Sequence, residues 1–391
     1  MIQIPSFTML ILWTAALTAI TTPLISLLYD PTKPYKVNKR RAIQYTPPNT
    51  ELQILACIHD QESVTGFINL IEVSNPTVSS PFTVYALRLV ELVGRATPLF
   101  IDHEHQAGAF EQYSGFNSVH NALKHFQESK GDYVKFNFFT TVSPTRTMYQ
   151  DICDLALTKK ATLIILPYRK ECLETRAVSV VEPQILLRSV NCNVLAHAPC
   201  SVGVLVDNGP FRDNKFVTSS RPLRHRFAML FLGGADAREA IAFADRMAGN
   251  VDVSLTVIRF LSHNNEGDNE MEKKLDDGLV TWFWVKNEGN KRVVYREVVV
   301  RNGEETVAAI RAMARDYYDL WIVGRKNGIN PVFLTGLSNW SQNNELGVIG
   351  DLIASTEIGS RASVLVVQQQ VLREQEVASR GLLQWLSRFS Y

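Results

Sequence analysis

The sequence predicts an α/β protein in which one N-terminal transmembrane helix precedes two tandem doubly wound parallel-sheet units. Three observations carry this. Ile2 to Tyr29 contains no Asp, Glu, Lys, Arg or His; the remainder alternates short apolar runs with helical patterns; and that alternation runs through twice.

A helix of about 20 apolar residues crosses the roughly 30 Å of a bilayer core, and Ile2 to Tyr29 is long enough. A secretory signal would carry a basic residue before its apolar stretch, and none is present. Pro23 interrupts the run, which a membrane helix tolerates where nearby Thr18, Thr21 and Thr22 offer hydroxyls. Lys33, Lys36, Lys39, Arg40 and Arg41 crowd the exit, so the positive-inside rule places residues 30–391 in the cytoplasm of a plasma membrane or endomembrane. The lipid bilayer is therefore an expected partner. Residues 30–50, with Pro31, Pro34, Pro47 and Pro48, read as an extended basic linker.

A formal net charge of +1 gives no ground for nucleic-acid binding. The cysteines at 57, 153, 172, 192 and 200 form no CxxC pair, as expected of a reducing compartment. Asn339-Trp340-Ser341 matches a glycosylation acceptor that would stay unmodified on the cytoplasmic side.

The first unit, 51–207, opens with Leu52 to His59, an apolar run of the kind buried on both faces of a parallel sheet. Val64, Phe67, Ile68 and Ile71 then mark a helix, and Phe82 to Leu92 a strand. A helix over Val119, Leu123 and Phe126, a strand from Val134, a helix from Met148, a strand at Leu163 to Leu166, a helix over 182–190 and a strand at Ser201 to Val206 follow. The polar linker 208–224 separates it from the second unit, 225–370. That unit has strands at Phe227 to Leu232, Val251 to Leu261, Val293 to Val300, Leu320 to Val323 and Val364 to Val367. Its first helix is expected to be capped by Asp236, with Glu239 reaching back. Residues 262–278, with six acids and two lysines, read as a solvated insertion. The tail 371–391 can form an amphipathic helix with Leu382, Leu386 and Phe389 on one side.

The segment ELQILACIHDQESVTGFINLIEVSNPT, together with HAPCSVGVLVDNG, LGGADAREAIAFADRM, LGVIGDLIAS and SVLVVQQQ, resembles the cytoplasmic half of plant cation/proton exchangers of the CHX type, in the second monovalent cation:proton antiporter family. The likeness extends over essentially the whole chain. It implies that residues 2–29 correspond to the last of about a dozen membrane helices, that the ion-binding acids lie on earlier ones, and that no ion-binding residue is in this chain. It implies K⁺ or Na⁺ exchange for H⁺ by the complete transporter, a regulatory role for this region in cation and pH homeostasis, and cytoplasmic units resembling universal stress proteins.

Some universal stress proteins bind ATP through glycines after the fourth strand, ending in Gly followed by Ser or Thr. The matching positions here are Gly324 and Gly328, one residue too far apart, and Gly350, followed by Asp351 rather than a hydroxyl. Gly233, Gly234 and Asp236 lie where a strand enters a helix, and the backbone amides of a helix start can hold an anion. These six are the candidate nucleotide or anion positions, with capping and packing as the competing reading. They support an alternative function, a membrane-anchored tandem nucleotide-binding protein. His103 and His105 are candidate pH sensors. No nucleophile, base and orienter set, no metal set and no cofactor are expected, so the chain is read as a non-enzyme; a homodimer is an expected assembly.

Overall fold

The computed structural model describes residues 4–28, 41–47, 49–92, 97–104, 117–168, 181–209, 225–337, 343–355, 358 and 361–371. They fall into two compact units, Met1–Asn38 with Leu372–Tyr391, and Lys39–Val371.

Of the first unit, helix α1, Ile4–Leu28, is described. Its 25 residues carry no charge. Thr18 and Thr21 return their hydroxyl protons to the carbonyls of Thr14 (3.0 Å) and Leu17 (2.7 Å), which removes their main polarity from the helix surface. Among the described residues no helix is long and apolar enough to cross a membrane. In α1 the described side chains run only from Thr8 to Thr21, a stretch shorter than a span. The expected tail helix and most of both linkers lie outside the described residues.

The second unit is a three-layer sandwich around one eleven-stranded sheet. The first half contributes β1 (Leu52–Ile58), α2 (Glu62–Val73), β2 (Phe82–Glu91), β3 (Leu99–Asp102), α3 (Asn117–Lys130), β4 (Val134–Ser143), α4 (Met148–Thr158), β5 (Leu163–Tyr168), α5 (Val181–His197) and β6 (Ser201–Val206). The second contributes β7 (His225–Phe231), α6 (Gly234–Ala248), β8 (Val253–Ser262), α7 (Glu270–Asn287), β9 (Val293–Val300), α8 (Gly303–Ala314), β10 (Leu320–Gly324), α9 (Gly347–Ala354) and β11 (Ser363–Gln368). Strand order is β3-β4-β2-β1-β5-β6-β11-β10-β7-β8-β9. Apart from the short antiparallel strand β3, each half follows the doubly wound order 3-2-1-4-5, with parallel pairing inside it.

The halves meet through their last strands. β6 and β11 pair antiparallel, Leu205 opposite Leu365 and Val204 opposite Val366. Both strands are buried along their whole length, so each would otherwise leave a row of backbone donors and acceptors unpaired. A core on one face, with Ile54, Phe67, Leu123, Phe243 and Phe283, draws on α2, α3, α6 and α7. The core on the other draws on α4, α5, α8 and α9. Both run across the junction, since Leu205 and Leu365 belong to one and Val204 and Val366 to the other.

Two sequence expectations are corrected. Residues 262–278 are not merely a solvated insertion: Asn269 accepts from the Met271 and Glu272 amides and starts α7, whose Val280 and Phe283 enter the core. The six acids hid the helix because they lie in its first turns and the preceding loop, where carboxylates suit the positive helix end. Asp236 does not cap α6. Gly233 occupies the cap position with φ 84° and no side-chain bond, and Asp236 points into the protein.

Among the described residues Trp321, second in β10, is the largest fully buried side chain. Trp321→Ala is expected to cost about 3–5 kcal/mol of unfolding free energy, read as a lower urea midpoint at unchanged slope.

Candidate functional site

Doubly wound sheets bind ligands beyond the carboxyl ends of their strands, where the strand order reverses. In the second half that place lies between β7 and β10. A crevice of about 190 Å³ opens there, lined among others by Gly233, Arg259, Asp268, Lys273, Asp276 and Gly328.

The protein's own groups already use the anion-binding features of this end. Gly234 and Gly328, at φ 86° and 83°, bring their backbones into direct contact, and a Cβ on Gly328 would sit 2.6 Å from Gly234 Cα. The Gly234 amide donates to Asp276 Oδ2 (3.0 Å). Asp276 also accepts from Arg238 Nη1 (2.5 Å), which reaches Glu272 Oε2 (2.8 Å). Burial raises the Asp276 pKa, opposed by these donors. A polyphosphate entering here would meet Asp268, Glu272 and Asp276 where a phosphate site needs donors.

Asp236, fully buried, accepts from the amides of Lys326 (3.0 Å) and Asn327 (2.9 Å) after β10 and of Gln369 (2.9 Å) after β11, and from Asn327 Nδ2 (3.1 Å). Burial pushes its carboxyl pKa up, and the four donors pull it down. Gly324 lies beneath the same helix start, a Cβ there falling 2.6 Å from the Ala237 amide nitrogen. Five candidates, Gly233, Gly234, Asp236, Gly324 and Gly328, are thus brought together as a packed joint between α6 and the strand ends. Gly350 is elsewhere, on α9 against Val366, on the face opposite α6.

A polar seam continues from this joint to the first half. Glu239, also fully buried, accepts from the amides of Ile43 (2.6 Å) and Gln44 (3.1 Å), fastening the segment before β1 to α6; burial raises its pKa. Gln368, Gln369 and Gln370 reach in turn Leu195 O (2.6 Å), Gln44 Oε1 (2.8 Å) and the Arg41 amide (2.6 Å). Gln368 also accepts from Arg325 Nη1 (2.5 Å), and Arg325 Nε meets Glu345 O (3.2 Å). Glu345 Oε2 accepts from Asn191 Nδ2 of α5 (2.9 Å), and burial pushes the Glu345 pKa to about 7.

Sequence reasoning missed most of this seam. The run Gln368-Gln369-Gln370 at the end of an apolar strand was its one legible trace; nothing near Glu345 or Asn191 marked them. His103 stands apart at the end of β3, its Nε2 2.8 Å from Thr140 Oγ1, its pKa lowered by burial and then by His120. His105 lies outside the described residues. Among the described residues no cluster of three or more His, Cys, Asp or Glu is placed to hold a metal.

Fold and seam together define a doubly wound α/β domain whose second-half switch-point crevice is lined by its own carboxylates. Comparison with known proteins places it further. The family profile of the plant cation/H⁺ antiporter C-terminal domain matches residues 224–368, and that of a second plant cation/H⁺ antiporter domain matches 84–210. Cation/H(+) antiporter 24 of Arabidopsis thaliana is 50% identical over 94% of this chain and 45% of its own length; cation/H(+) antiporter 25 is 48% identical over 95% and 46%. A solved universal stress protein from Archaeoglobus fulgidus aligns at 13% identity and a TM-score of 0.42, over 81% of this chain and 96% of its own. The chain belongs to the plant cation/H⁺ antiporter family and corresponds to its C-terminal region. It spans about half the length of the curated relatives it matches.

Asp236→Ala leaves three backbone amides without their acceptor, at about 1–3 kcal/mol each. A loss of at least about 3 kcal/mol is expected in denaturant unfolding, with Asp236→Asn losing less.

Proposed function

We propose that this chain is the C-terminal regulatory part of a monovalent cation/H⁺ antiporter, with K⁺ or Na⁺ as the exchanged cation, and that it contributes to cation and pH homeostasis without carrying the translocation path or an enzymatic activity. The observation that carries the reading is the 50% and 48% identity to two cation/H⁺ antiporters over 94% and 95% of the chain. The carboxylate-lined crevice favours it over the nucleotide-binding alternative, because Asp276 takes the amide that a phosphate would need.

In this reading α1 is a membrane span. At 1.5 Å per residue its 25 uncharged residues extend about 37 Å, more than the hydrocarbon core requires. Leu12, Trp13, Leu17 and Ile20 present apolar surface suited to lipid or to neighbouring helices. The α/β unit is then cytoplasmic and acts as two tandem units of universal-stress type. It biases the transporter by binding something more tightly in one conformation than in the other.

Two measurements check this. Rubidium flux through the complete transporter, with and without residues 41–371, is expected to differ in its pH dependence; identical profiles overturn the regulatory role. Asn339 is expected to carry no glycan in microsomes, and an endoglycosidase-sensitive shift lost in Asn339→Gln would reverse the assigned orientation.

A further inference from the structure

One carboxylate in the seam is held differently from the others. Asp236 and Glu239 are each bound by at least two backbone amides, whereas the carboxylate of Glu345, 3% exposed, accepts one hydrogen bond among the described residues, from a side chain of the other half. Arg325 does not pair with that carboxylate. Its Nε meets the Glu345 carbonyl, Nη1 meets Gln368 and Nη2 the Asn344 carbonyl. Across the seam Asn191 Oδ1 is buried and has no hydrogen-bond partner among the described residues, while Asn191 Nδ2 serves both Glu345 Oε2 and Pro167 O (3.1 Å).

An unpartnered acceptor beside an ionised carboxylate is the poorer of two arrangements. With a proton on Glu345 the pair closes into the two-bonded ring of a carboxylic acid and a carboxamide: Asn191 Nδ2–H donates to one carboxyl oxygen, and the other, as O–H, donates to Oδ1. Rotation about the terminal side-chain bond of Glu345 brings the second oxygen round to Oδ1, which lies on the same planar amide as Nδ2. We propose that Glu345 and Asn191 form a proton-binding site that latches α5 of the first half to the loop before α9 of the second, closing when protonated and loosening when ionised.

The surroundings set where it operates. Arg188 and Cys192 face it from α5, Arg325 from just after β10 and Asp351 from α9, and Lys326 acts on Cys192. Burial is the largest influence and raises the Glu345 pKa from 4.5 to about 7; Arg188 and Arg325 oppose it and Asp351 adds to it. A carboxyl that holds its proton more tightly folded than unfolded stabilises the fold fully below its unfolded value, and that contribution is lost as pH rises through its folded value. The latch therefore works between about 4.5 and about 7, reaching the neutral range of cytosol. Its regulatory consequence rests on the function proposed above; proton binding itself does not.

The test is infrared difference spectroscopy of the full chain in lipid nanodiscs, titrated from about pH 5.5 to about 8.5. A carboxylic-acid carbonyl band that disappears with a midpoint near neutrality is expected, absent in Glu345→Gln and moved by about one pH unit or more in Asn191→Leu. Hydrogen exchange in α5, corrected for intrinsic rate, is expected to rise through the same midpoint in the native chain and to stay level in Glu345→Gln. No band titrating in the neutral range, or a band that survives Glu345→Gln, overturns the proposal. The Asn191→Leu spectrum and the native titration decide it if Glu345→Gln does not fold. Flux that ignored the C-terminal region would overturn the regulatory reading and leave the band in place, so the two fail separately.

Discussion

The antiparallel pairing of β6 with β11 is the constraint on which the rest of the unit depends. Two doubly wound halves could each stand as a separate sheet, yet each would end on a fully buried apolar strand with an unpaired edge. Joining those edges satisfies both rows of backbone groups and lets one apolar layer run across the junction on each face. What remains open is edge strands β3 and β9. β3 is only four residues long, and β9 carries exposed Arg296 and Glu297 at its middle, features that discourage pairing with a further chain.

Once the strands are joined, their carboxyl ends bring together polar groups that water can no longer reach. The fold meets this by saturation: Asp236 and Glu239 receive backbone amides from the segments that must be held, the loop after β10, the end of β11 and the chain before β1. A buried charge is costly unless its hydrogen-bonding capacity is filled, and here filling it fixes how three chain segments meet. The same logic consumes the second-half switch point. Its helix-start amide is given to Asp276, whose charge is balanced by Arg238. Gly234, Gly324 and Gly328 make close backbone contacts at this end.

Glu345 is the exception that makes the seam more than scaffolding. It is buried like its neighbours but underdonated, and its partner Asn191 is an amide rather than a cation. In such a pair the protonated acid completes two hydrogen bonds with the amide, where the ionised form leaves Asn191 Oδ1 without a partner among the described residues. On the function proposed above, a C-terminal region with a proton-dependent joint between its halves is a physical route from pH to transport.

All the described strands but β3, and most helices, were legible in the sequence, because burial on both faces demands nearly continuous apolar runs such as Leu52 to Ile58 and one-sided burial demands the spacing of Val64, Phe67, Ile68 and Ile71. The alternation of strand and helix running through twice was legible too, as was the charge-free opening segment that contains α1. The candidate site was readable only as a set of glycines and one aspartate. Local sequence records which residues tolerate a tight turn or a helix start, but not what will pack against them, so Gly234 and Gly328 looked like a ligand's cradle and Asp236 like a cap. Helix α7 was hidden by its own acids. The sequence by itself determined the α/β class, the order of ten of the eleven described strands and the family. Only the tertiary structure decided that the halves share one sheet, that Asp236 and Glu239 are buried fasteners and that Glu345 faces Asn191, because each depends on contacts between residues more than eighty positions apart, which no local pattern encodes.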